Sequence, residues 1–203
     1  MKEYTLVTTS LEETWPDDNQ PVLFLGEWCR LYSRKHRWKE MDAQVAPFHW
    51  DDRAKLIEDY RYLRDLFERL LVQLTSELNK IHGVDYTVRY WRIVIGPWLI
   101  MFLTAIYDRW ISVNTAISLF PIVGTKVINV GDYNIIPQSM KDFSDYVKID
   151  IWNHVVYSLI LRHLKFIGVS SVKPTNEITN RLMHSSSTSS KGVIGHIKKI
   201  IST

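Results

Sequence analysis

From about Asp52 to His82 the apolar side chains Leu56, Tyr60, Leu63, Phe67, Leu70, Leu74, Leu78 and Ile81 recur at spacings of 4, 3, 4, 3, 4, 4 and 3, with charges between them. Only an α-helix gathers such a series onto one face. At ~1.5 Å per residue the helix is more than ~40 Å long, so it crosses a whole domain or pairs with another helix. Asp51 or Asp52 can cap its start and Gly83 stops it. The heptad-like spacing also admits a coiled-coil pairing.

Short apolar runs flank this segment. Tyr4 to Thr9 is β-branched, and Ser10-Leu11-Glu12-Glu13 comes next with the spacing of a helix-capping box. After the turn residues Trp15-Pro16-Asp17-Asp18-Asn19, the run Pro21 to Leu25 reads as a buried strand ending at Gly26; Gln44 to Phe48 reads as a third strand. Past Gly83, Tyr90 to Ile95 is a short apolar segment, and Pro97 suits the first position of a second helix from Trp98 to about Ser118. Thr125 to Val130 is another β-branched run, closed by Gly131-Asp132, and a helical segment with a break runs from Ser139 to Phe166. Strands alternating with helices predict an α/β domain: a Rossmann-like, mostly parallel sheet flanked by helices, one of them the long amphipathic helix.

The 203 residues suit one large domain or one domain with a tail. The expected domain is 1–168. Residues 169–203 read as a Ser/Thr-rich linker or tail, and the basic amphipathic pattern that begins at Gly192 suggests a longer protein cut after its first domain. The surplus of basic over acidic residues, 25 − 22 = 3, is too small for a nucleic-acid footprint. With one cysteine, Cys29, and a polar N-terminus, neither an internal disulfide nor a signal peptide is expected, which fits the cytoplasm. The apolar stretch Ile93 to Tyr107 is 15 residues long, short of the ~20 of a spanning helix, and reads as a buried helix. Peripheral contact at the inner face of the membrane is the alternative.

Ligands of open parallel sheets sit outside the carboxyl ends of the strands. The residues after Leu25 are Gly26, Glu27 as a carboxylate that can take a proton, and Trp28 as an indole that can stack on a sugar. His49, Asp51 and Arg53 stand at the start of the long helix, where a general base or an anionic ligand both make sense. Each has a plainer reading as a cap, an ion pair or core. The basic stretch Arg30 to Lys39, with interleaved aromatics, suits phosphate or a solvated helix face. Arg92 and Arg109 lie in apolar surroundings and must be paired or face a cleft. The seven histidines show no metal-ligand spacing, so no metal and no resident cofactor is expected, and neither glycine-rich phosphate motif occurs, which argues against a dinucleotide dehydrogenase or a P-loop ATPase.

The phrases LVTTSLEETW (6–15), PVLFLGEWCRLYSRK (21–35), PFHWDDR (47–53), NKIHGV (79–84), RYWRIVIGPWLIMF (89–102) and YDRW (107–110) resemble the N-terminal region of a family of transferases encoded in bacterial surface-polysaccharide and O-antigen gene clusters. The resemblance is densest over residues 5 to 110. It implies the N-terminal half of a two-domain, GT-B-like glycosyltransferase. A glycan acceptor would bind this half, and a nucleotide-sugar donor would bind a second half found only in a longer chain. The motif members are Glu27, Trp28, His49, Asp51, Arg53, Trp91, Arg92 and Trp98. By this resemblance Glu27 and His49 are the candidate bases, and Trp28, Asp51, Arg53, Trp91, Arg92 and Trp98 the candidate substrate contacts. The rival expectation is a non-catalytic module that pairs through residues 52–82.

Overall fold

The computed structural model of the chain describes residues 2–16, 20–129, 136–176 and 178. The expected turn at 17–19, Gly131-Asp132 and the tail from 179 onward lie outside them. Five strands form one sheet: β1 (Tyr4–Val7), β2 (Val22–Phe24), β3 (Ala43–Val45), β4 (Ile122–Ile128) and β5 (Val169–Val172), in the order β3-β2-β1-β4-β5 with every pair parallel. The α/β expectation holds. The chain steps outward from β1 to β3 and then returns to the other side of β1, so the strand order reverses between β1 and β4. Crevices for ligands open at such a reversal.

The central strands are buried on both faces, as parallel sheets require: Leu6, Val7, Val22, Leu23 and Phe24 are fully buried. Val113 and Ala116 of α3 (Val88–Leu119) pack on them, together with Phe143 of α4 (Met140–Tyr146) and Trp152, Tyr157 and Leu161 of α5 (Asp150–His163). A short helix, α1 (Lys35–Trp38), comes after β2. The cations of this region serve the fold: Arg34 and Arg37 both pair with Glu12, and Arg34 also donates to the Ser10 carbonyl.

The long amphipathic helix is α2 (Arg53–His82), antiparallel to α3 after a short turn. Asp52 caps it by accepting from the Ala54 and Lys55 amides at 2.8 and 3.4 Å. Gly83 ends it at φ 63°, with the Val84 amide donating back to the Asn79 carbonyl. A Cβ at Gly83 would meet nothing within 4 Å, so Gly83→Ala tests backbone strain alone. Thermal or urea unfolding should show a loss of about 1 kcal/mol.

The middle of the apolar face of α2 is packed within the chain, whereas Leu56, Tyr60 and Ile81 toward its ends are exposed. Leu71, Trp91 and Leu99 form a buried cluster with Phe67, Leu74, Leu78 and Val88.

Several boundaries differ from expectation. Pro97 lies inside α3 and does not begin it; Thr87 caps the helix ten residues earlier. The proline deletes one backbone bond, and packing of Trp91 and Leu99 on α2 carries the helix through. The capping box at Ser10 does not form: its hydroxyl goes to Asp150, and the next element is a 3-10 turn at Glu12–Thr14 without a side-chain cap. Residues 169–172, read as the start of a tail, are β5 of the sheet, and Ile178 packs on Leu11, Ile128 and Ile151. The stretch 93–107, expected to be buried, is buried on one side only, with Ile93 71 % exposed.

Candidate functional site

Two adjoining hollows of about 500 and about 250 Å³ lie along α3 beyond the carboxyl ends of β1 and β2, and share Asp108, Arg109 and Val147 as lining. Together they are large enough for a sugar-sized ligand. Trp28 walls the smaller hollow and Trp50 the larger.

Each wall has a local cause. The 3-10 turn Glu27–Cys29 folds Trp28 back over Gly26 so closely that a Cβ there would fall 2.1 Å from the indole ring. Glycine is therefore required by close approach and not by its dihedral angles. The indole N–H of Trp28 donates to the Thr8 carbonyl at 3.0 Å, which fixes the ring at the end of β1. Trp50 is fixed from behind. Its N–H donates to the buried Asp59 at 3.1 Å, and Asp59 also accepts from Tyr107 at 2.7 Å and from Lys55 at 2.5 Å. Burial alone would raise the Asp59 carboxyl, but these bonds outweigh it and hold the group below the usual carboxylate range.

At the centre stands Asp108, in partial contact with the hollows. One of its oxygens takes the Arg109 guanidinium at 2.9 Å. The other lies 3.5 Å from Nε2 of His49, out of line for a full hydrogen bond. Arg109 is held in turn by Asn153 and by the Ala105 and Val147 carbonyls. Ser112 donates its single hydroxyl proton to the Asp108 carbonyl at 2.8 Å, so its oxygen is left to accept from Nδ1 of His49, 3.4 Å away. That places the lone pair of a neutral His49 Nε2 toward Asp108, so a proton taken up by the carboxylate can be shared with the imidazole. Burial pushes the Asp108 carboxyl up against the opposing pull of Arg109 and His49, and burial pushes His49 down against the pull of Asp108. The pair can therefore hold one proton and pass it to or from the hollow through Asp108.

Of the residues marked by sequence, Trp28 lines the cleft and His49 stands directly behind it. Glu27, with its side chain 74 % exposed, is turned to Arg30 at 2.6 Å. Asp51 and Arg53 are exposed at the start of α2. Trp91, Arg92 and Trp98 lie along the α2–α3 hairpin. Trp91 donates to Asn79 at 2.7 Å, Arg92 pairs with Glu68, and Trp98 stacks on Phe102. Cys29 is fully buried, donates to the Val7 carbonyl, and is pushed by burial up to about 12. No cluster of three His, Cys, Asp or Glu side chains that could hold a metal occurs among the described residues. Sequence reasoning missed Asp108 as a site residue. The available signal was an acid placed on the apolar outward face of a long helix.

No curated protein and no solved structure matches the chain. The sequence pattern of the LIC12162 family transferases matches residues 4–203, which includes all five strands, both long helices and the whole cleft. The chain belongs to the LIC12162 transferase family.

Proposed function

We propose that the cleft binds the acceptor of a glycosyl transfer in cell-surface polysaccharide synthesis, with Asp108 as the general base. One observation carries this reading. A carboxylate raised by burial, backed by His49 and Ser112, lines an aromatic-walled hollow along α3. In the proposed step Asp108 takes the proton of an acceptor hydroxyl as that oxygen bonds to the anomeric carbon of the donor sugar. The bond from that carbon to the phosphate oxygen breaks, and nucleoside diphosphate leaves with the electron pair. The proton stays on the Asp108–His49 pair. Trp28 and Trp50 would stack on the apolar faces of the acceptor sugar. The donor-binding half of a GT-B architecture belongs to the same proposal.

The indoles supply the test. Titration with a panel of oligosaccharides, monitored by intrinsic fluorescence, should give a saturable change for an acceptor. Trp28→Phe with Trp50→Phe should remove most of that change and weaken binding about ten-fold, since a lost stacking contact costs about 1 kcal/mol or more. A saturable change that survives in the double variant would place the sugar elsewhere.

A further inference from the structure

On the outward face of α3, Tyr90, Ile93, Val94, Pro97, Ile100 and Met101 succeed one another at i, i+3, i+4, i+7, i+10 and i+11, the spacing of a single helical stripe. All six are exposed, Ile93 by 71 % and Val94 by 53 %. The helix is long and apolar enough to cross a membrane, yet only 22 % of its most apolar 18-residue window is buried. From Val88 to Tyr107 it contains no acid; its charges there are Arg89 and Arg92. We propose that this stripe docks the protein on an anionic lipid surface.

Three features favour that occupant. First, the stripe is one side chain wide, with no member more than partly lost to the fold. It offers well below the ~800 Å² per partner of a stable protein interface, whereas a lipid surface accepts a few inserted apolar side chains. Second, an exposed basic side chain stands at each end of it: Arg89 at one, and Lys148 at the cleft in which it terminates. Third, Tyr86 and Tyr90 lie against each other at one end, 4.2 Å between ring centres and tilted by 35°, and Trp50 lies near the other. Such amphipathic rings sit well at the boundary of lipid and water. The helix lies on the surface and does not span it, because Val113 and Ala116 further along are built into the sheet core. Thr104 and Asp108 continue the same face, so the stripe leads over ~27 Å of helix into the cleft and would present Asp108 close to the lipid boundary.

Cosedimentation of the whole chain with vesicles of equal parts phosphatidylcholine and phosphatidylglycerol tests this without any sugar substrate, so it can fail independently of the transfer reading. The expected result is binding that weakens with salt and is weaker on pure phosphatidylcholine. It should fall about ten-fold or more in Ile93→Glu with Val94→Glu. Both side chains are exposed, so circular dichroism and the melting temperature should stay at wild-type values. Arg89→Glu alone should reduce binding to the anionic vesicles several-fold. Failure to bind, binding unchanged in the double variant, or a dimer in sedimentation equilibrium that the double variant dissociates would each overturn the proposal.

Discussion

Replacing Asp108 by Asn is expected to lower the turnover of sugar transfer by about 10² to 10⁴, the range a positioned general base contributes. The change keeps the side-chain volume and an oxygen for Arg109, 2.9 Å away, but removes the group that takes a proton. Because the acceptor is held by the surrounding walls, KM should change only a few-fold, so the loss appears in kcat. His49→Gln should act differently. It keeps a hydrogen-bonding group between Ser112 and Asp108 while removing the second proton site, so the pH–rate profile should shift along with a smaller loss of rate. Release of nucleoside diphosphate against pH, measured on variants with wild-type circular dichroism, checks both. A full rate in Asp108→Asn would remove the base assignment.

Acid should unfold the protein through His154. This residue of α5 is 1 % exposed, and its Nε2 accepts from the Ile128 amide at the end of β4 at 2.9 Å. Burial lowers it from 6.5 to about 4. Between those values the unfolded chain takes up a proton that the folded chain refuses, so stability rises with pH in that window. The contribution is whole above about 6.5 and falls by up to about 3 kcal/mol as pH drops to about 4. Urea unfolding at about pH 7 and about pH 5 measures the slope. In His154→Leu the overall stability should drop, because the Ile128 amide loses its partner, but the pH slope of the variant should be flatter than that of the wild type. An equal slope in both would assign the acid sensitivity to other groups.

The long helix α2 was legible because its cause is local: an apolar period, Asp52 at the start and Gly83 at the end all lie within one segment. The parallel sheet was legible from the alternation of strand and helix. Elements decided by distant partners were not. Ser10 has the spacing of a cap, but Asp150, far along the chain, takes its hydroxyl. Pro97 has the chemistry of a helix start, but α2 holds the turns on both sides of it. Val169–Val172 reads V-S-S-V and is mostly exposed, and only pairing with β4 makes it a strand. In the site, Trp28 and His49 were legible because each stands just past an apolar run, where a parallel sheet opens toward its ligands. Asp108 has no such position. Its setting emerges when the His49 turn packs against the middle of α3 and buries the imidazole beside it.

The most direct test of the account compares Asp108→Asn with Glu27→Gln in one assay, nucleoside diphosphate release at saturating donor and acceptor. Glu27 is exposed and paired with Arg30 outside the cleft lining, whereas Asp108 lies within it. The account predicts Glu27→Gln within about two-fold of wild type and Asp108→Asn at least about 10² slower. A collapse of rate in Glu27→Gln with Asp108→Asn near wild type would contradict it.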